Sequence, residues 1–140
     1  MTGIVVVSHS RALAEAAVDL ATQMVGDGGP VIEVAAGLSE TELGTDAAAI
    51  SEALERATDE QGAVVFMDLG SALMSTETAL EFLDPDLAER VHLTWAPLVE
   101  GLVGATVAAA GGADPERVFS EAELAVEAKK RHLATVTEDD

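Results

Sequence analysis

The 140 residues contain no cysteine, no tyrosine, one tryptophan, three phenylalanines and only seven lysines and arginines. Without thiols there is no disulfide framework, no thiolate metal site and no cysteine nucleophile, and a reducing, cytoplasmic setting is expected. With aromatics at 3%, the core has to be aliphatic and alanine-rich. Seven cations against 26 acidic residues leave a formal charge of −19. Such a field repels phosphate backbones and anionic lipid, so neither a nucleic acid nor a membrane is expected as partner. The long uncharged stretch Gly101 to Ala113 falls short of the roughly 20 apolar residues that span a bilayer. No Lys or Arg precedes the first apolar run, so no secretory signal is expected. What is present is 49% hydrophobic, enough for one independently folding domain and too much for a chain disordered throughout.

Short β-branched runs alternate with helical patterns. Ile4 to Val7 is continuously apolar, as in a central parallel strand buried on both faces. A helix follows with Leu13, Ala17, Leu20 and Met24 along one stripe, ending near Val25 before Gly26. Val31 to Ala35 reads as the second strand, and the loop after it contains a Ser39-x-x-Glu42 capping-box pattern. Thr45 or Asp46 can cap a second helix whose core side is Ile50, Leu54 and Ala57, ending near Glu60. Gly62 to Met67 is the third strand, followed by a helix from Ser71 to about Leu83 and a turn at Asp84-Pro85. Arg90 to Trp95 makes the fourth strand, and Leu98 to Ala110 an apolar helix that a subunit interface could cover. Asp114, Pro115 and Glu116 open a last helix with Lys129, Lys130, Arg131 and His132 at its negative end. The expected architecture is α/β: an open, mostly parallel four-stranded sheet in the order 2-1-3-4 with helices on both faces. The domain is expected over 1–133, with 134–140 an acidic, frayed tail.

In such sheets chemistry collects beyond the carboxyl ends of the strands, where the winding reverses between the first and third. Two loops meet there, Ser8-His9-Ser10-Arg11 and Asp68-Leu69-Gly70-Ser71. An imidazole beside a carboxylate makes a nucleophile: the carboxylate accepts the Nδ1 proton and leaves Nε2 with its lone pair. Helix starts near Ser10 and Ser71 supply amide N–H groups and hydroxyls for a phosphoryl group, and Thr45 offers a further donor. The blander alternative makes His9 a strand-end residue bonded to a carbonyl and Asp68 a helix cap, and position alone leaves the two readings open. Met67 and Met74 are expected to pack, His92 to be a packed or hydrogen-bonded structural residue, Trp95 either to line a mouth where a partner docks or to serve the core or a dimer contact, and Arg11 to be either a phosphate contact or an exposed helix-start residue. The three histidines show no zinc spacing, and no metal site is expected.

The strings Val5-Val6-Val7-Ser8-His9-Ser10, Gly44-Thr45-Asp46-Ala47, Met67-Asp68-Leu69-Gly70-Ser71-Ala72, Ser75-x-Glu77-Thr78-Ala79-Leu80 and Ala96-Pro97-Leu98-Val99-Glu100-Gly101 occur in this order over nearly the whole chain. Together they resemble the phosphotransferase subunits, DhaM, of phosphoenolpyruvate-dependent dihydroxyacetone kinases, which are similar to mannose-family IIA domains of the bacterial sugar phosphotransferase system. The resemblance implies an α/β homodimer and a phosphotransferase working in a relay: phosphoenolpyruvate to Enzyme I, to HPr, to this subunit, then to ADP held with Mg²⁺ on the kinase's L subunit. The ATP formed there phosphorylates dihydroxyacetone on the K subunit. It further implies His9 as phosphoryl acceptor, Asp68 as the carboxylate orienting it, no cofactor on this chain, and HPr acting in trans. Two other readings compete. A receiver-like domain would be phosphorylated on Asp68, but Ser8-His9 replaces its acidic pair and Ala96-Pro97 its lysine. A non-catalytic acidic interaction domain would have the same composition.

Overall fold

The computed structural model describes residues 1–138. Its four strands, β1 (Gly3–Ser8), β2 (Ile32–Ala36), β3 (Ala63–Met67) and β4 (Val91–Leu93), form one parallel sheet in the order β2-β1-β3-β4. The helices are α1 (Arg11–Val25), α2 (Ala47–Ala57), α3 (Ser71–Glu81), α4 (Pro85–Ala88), α5 (Leu98–Ala110), α6 (Pro115–Leu124) and α7 (Glu127–Glu138). Crossover helices cover both faces, which is why the strand runs are apolar without alternation. Ile4, Val6, Val64 and Phe66 pack under α1, α5 and α6, whereas Val5, Val7 and Val65 pack under α2 and α3. These strand side chains are fully buried, and each contributes about 1.5–3 kcal/mol of transfer free energy.

Most expected elements fall within a few residues of their places, and four differ informatively. The first is α1, which turns Ala14, Ala17 and Ala21 inward and leaves Leu13, Leu20 and Met24 exposed. Small side chains let the helix lie close on the β-branched sheet face, so the larger residues lie to one side. The second is β4, only three residues long, beyond which Trp95 is 80% exposed with its ring edge-on to Phe119 at 5.9 Å. The third is the Ser39 pattern: Ser39 Oγ accepts from the Glu42 amide at 3.0 Å but closes a turn, and no helix follows.

The fourth is the last helix, which breaks at Ala125–Val126 into α6 and α7. Lys129, Lys130, Arg131 and His132 consequently lie inside α7 rather than at a helix C-terminus, and Lys129 Nζ reaches Glu100 Oε2 at 3.1 Å. Residues 134–138, expected to be frayed, continue α7, and residues 139–140 of the expected tail lie outside the described residues. Among the described residues no helix is long and apolar enough to cross a membrane.

Candidate functional site

β1 and β3 are adjacent and in register, Val7 opposite Met67, so the residues that follow each strand emerge side by side at the carboxyl edge. Asp68 continues the ladder by one bond, its amide donating to Val7 O at 3.2 Å, which fixes where its carboxylate begins. His9 and Asp68, 59 positions apart in sequence, meet there. His9 Nδ1 lies 3.0 Å from Asp68 Oδ1, while the His9 amide and Ser8 Oγ both donate to Oδ2 at 2.9 Å. The Leu69 amide adds a fourth bond, to Oδ1 at 2.7 Å.

An ionised carboxylate only accepts, so Nδ1 carries a proton, and in the neutral imidazole Nε2 then holds a lone pair. Ser71 Oγ stands 2.9 Å from Nε2, to which it donates when the ring is neutral. Burial on its own would raise the Asp68 carboxyl, but the bonds from the His9 amide and ring, Ser8 and Leu69 outweigh it and hold the group below the ordinary aspartate range. The Asp68 side chain is 10% exposed and the His9 side chain 26%, so the carboxylate is sheltered while the imidazole is open at its rim. A carboxylate with both oxygens engaged is a poor nucleophile. This arrangement disfavours phosphorylation on Asp68 and favours the imidazole.

The other expected site residues are placed as follows. Ser10 caps α1, its Oγ accepting from the Leu13 amide at 3.2 Å, which leaves its own O–H to donate. Gly70 and Ser71 form the start of α3, which has no side-chain cap. Thr45 Oγ1 pairs with Ser75 Oγ at 2.6 Å. Arg11 Nε donates to Ala36 O at 3.0 Å and ties α1 to β2. His92 lies half-buried on β4 opposite Val64. Met67 packs against the core, while Met74 is exposed, contrary to the packing role expected for it. Among the described residues no three histidine, aspartate or glutamate side chains gather as a metal-binding cluster.

Sequence reasoning missed two contributors. Ser8 is fully buried and bonds the carboxylate; its polarity at the end of an otherwise apolar strand was the signal. Gly44 donates its amide to His9 O at 2.9 Å with φ of +142°, a backbone region that favours glycine, and nothing local in the sequence announces that long-range bond. Beside Asp68 a cleft of about 320 Å³ opens, lined by Leu69, Gly70, Leu73, Leu93, Thr94 and Trp95.

The EIIA-man family, described as the PTS system fructose IIA component, matches residues 3–119. The phosphoryl donor subunit DhaM of PEP-dependent dihydroxyacetone kinase from Providencia stuartii is 46% identical over 100% of this chain and 30% of its own length. The subunit of the same name from Escherichia coli is 45% identical over 99% of this chain and again 30% of its own length, so the chain spans under a third of these relatives. A shorter relative, phosphoryl donor subunit DhaM of PEP-dependent dihydroxyacetone kinase 2 from Listeria innocua, is 37% identical over 86% of this chain and 96% of its own. Among solved structures, the unknown-function protein EF1359 superposes with a TM-score of 0.76 at 31% identity, covering 88% of this chain and 94% of that one. With one family spanning both the Ser8–His9 loop and the Asp68–Ser71 loop, the chain belongs to the EIIA-man family.

Proposed function

We propose that this chain is the phosphohistidine relay subunit of a phosphoenolpyruvate-dependent dihydroxyacetone kinase, accepting a phosphoryl group from HPr on His9 and passing it to ADP on the L subunit. The observation that carries the chemistry is the imidazole held between Asp68 at Nδ1 and Ser71 at Nε2. The partners are carried by likeness to subunits named DhaM. Phosphoryl transfer needs positioning and charge stabilisation more than covalent help from the protein. In the first step the Nε2 lone pair forms a P–N bond as the bond to the HPr nitrogen breaks, and that nitrogen keeps its electron pair. The product ring carries a proton on Nδ1 and phosphorus on Nε2, and its positive charge faces the Asp68 carboxylate.

The open start of α3 supplies the Gly70 and Ser71 amides for the phosphoryl oxygens, and Ser10 and Ser71 supply hydroxyls. These donors offset the repulsion that a phosphoryl group meets on a chain of charge −19. In the second step a β-phosphate oxygen of ADP attacks, the P–Nε2 bond breaks, and ATP leaves with Mg²⁺ on the L subunit. The K subunit then uses that ATP. No cofactor on this chain is required, and the relay operates in the cytoplasm, where HPr and the kinase subunits would meet it. A homodimer accounts for the apolar side chains left outside, Leu13, Leu20 and Met24 of α1 and Val99 and Val107 of α5.

The test is incubation with phosphoenolpyruvate, Enzyme I and HPr, followed by acid and alkali treatment. An acid-labile, alkali-stable label is expected, and it disappears in His9→Ala with the fold intact. An alkali-labile label instead points to an acyl phosphate on Asp68, and a labelled His9→Ala protein overturns the assignment.

A further inference from the structure

Ser71 and Ser75 lie four residues apart on α3, and therefore on one face of it. Ser71 Oγ meets His9 Nε2 at 2.9 Å, and Ser75 Oγ meets Thr45 Oγ1 at 2.6 Å. Thr45 directly follows Gly44, whose amide holds the His9 carbonyl at 2.9 Å. The contacts close a circuit: His9 ring, Ser71, one turn of α3, Ser75, Thr45, Gly44, His9 backbone. The segment that carries Thr45 is pinned again at its other end, where the Gly37 amide donates to Ser8 O at 3.1 Å, and Asp46 caps α2 through the Ala48 amide at 3.0 Å. Both Thr45 and Ser75 are half-buried, so water competes less for their bond than it would at the surface.

We infer that Thr45 and Ser75 are positioning residues for phosphoryl transfer, setting the distance between the loop that holds the His9 main chain and the helix whose Ser71 aims its ring. This inference rests on the proposed use of His9 as acceptor. Neither hydroxyl touches the reacting nitrogen; each acts through Gly44 or α3. When phosphorus arrives at Nε2, the Ser71 hydroxyl has to release the lone pair and turn to a phosphoryl oxygen. The Thr45–Ser75 bond keeps the backbone on both sides in place while that happens.

The test is single-turnover labelling of His9 at varied concentrations of phosphorylated HPr, in wild type, Thr45→Val, Ser75→Ala and the double variant. Each single variant is expected to lower the maximal rate roughly tenfold, the scale of a fraction of an ångström in aim. The HPr concentration at half-saturation stays unchanged. The double variant is no slower than the slower single one, because one bond is lost in all three, and the conservative Thr45→Ser and Ser75→Thr variants restore the rate. A full maximal rate in Ser75→Ala, a loss confined to half-saturation, or multiplying losses in the double variant would overturn the inference; Ser75→Ala decides alone if Thr45→Val does not fold. Phosphoramidate separates failure of the relay reading from failure of this one. It phosphorylates Nε2 directly as its own P–N bond breaks and ammonia leaves. If HPr does not label the wild type, the relay reading falls, and the same rate ratios with phosphoramidate still decide the circuit: a tenfold loss upholds it and equal rates refute it.

Discussion

Two helices start beside His9, and their N-termini are finished differently. At α1 the capping is internal, with Ser10 accepting from Leu13 two residues into the helix, and α2 and α6 are likewise closed by Asp46 and Asp114. At α3 the first residue, Ser71, spends its hydroxyl on the imidazole, and no side chain closes the helix end. A helix start with unsatisfied N–H groups carries a partial positive charge and costs stability unless something anionic visits it. The difference teaches that α1 closes its own start beside the site, whereas α3 leaves its start open there, as the proposed phosphoryl binding requires. Two amides, one hydroxyl and the His9 ring then fix the carboxylate between them.

The sharpest way to break this contrast is Asp68→Asn. The amide keeps the shape but lets the His9 ring take the wrong tautomer and removes the charge that offsets the phosphorylated ring. Transfer is expected to fall roughly 100-fold, measured as the single-turnover rate from phosphorylated HPr. Stability falls as well, by about 1–3 kcal/mol at neutral pH, since bonds to a buried charge are lost. The wild-type advantage has a defined pH course. A carboxyl held low in the folded state stabilises fully above its unfolded value of about 3.9 and loses that contribution as the pH falls through the lowered folded value. Chemical denaturation of the two proteins is therefore expected to show a constant gap at neutral pH that narrows at and below pH 4.

A smaller effect sharpens the same contrast from the other side. A Cβ at Gly70 meets nothing within 4 Å, so the first atom of the Gly70→Asp side chain enters open space. It brings a carboxylate to the open end of α3, where the helix dipole favours it by about 0.3–1 kcal/mol. The same charge repels an incoming phosphoryl group. A protein that melts slightly higher yet labels roughly tenfold more slowly is expected. Faster labelling would mean that the α3 terminus plays no part in holding the phosphoryl group.

The sheet and the meeting of His9 with Asp68 were legible in the sequence for the same reason. A parallel strand buried on both faces has to be a continuous apolar run, so Ile4 to Val7 and Ala63 to Met67 stand out, and the residues that end those runs are placed by the topology alone. His9 and Asp68 follow directly. What was not legible depends on contacts between hydroxyls. Nothing in the local pattern around Thr45 or Ser75 distinguishes a hydroxyl that binds ligand from one that binds another hydroxyl 30 positions away. The inward face of α1 was misread because periodicity is weighted by large side chains, whereas here close packing selects Ala14, Ala17 and Ala21. The break between α6 and α7 carries neither glycine nor proline, and it accompanies the tertiary contact of Lys129 with Glu100.

The least disruptive substitution tests α1 alone. Ser10→Ala removes the cap from the Leu13 amide and is expected to cost about 1 kcal/mol in denaturant unfolding. The His9 ring keeps its two anchors at Asp68 and Ser71, so only the one hydroxyl that Ser10 lends the phosphoryl oxygens is lost, and the labelling rate is expected to fall roughly threefold. A tenfold or greater loss of rate would give its free hydroxyl proton a larger share in holding the phosphoryl oxygens, and the two helix starts would then be partners in binding rather than a rigid one and a receptive one. Ser10→Gly separates the two effects. Glycine restores most of the N-cap stability without restoring the hydroxyl, so recovered stability with a persistently low rate would assign the loss to phosphoryl contact, and recovery of both would assign it to the helix.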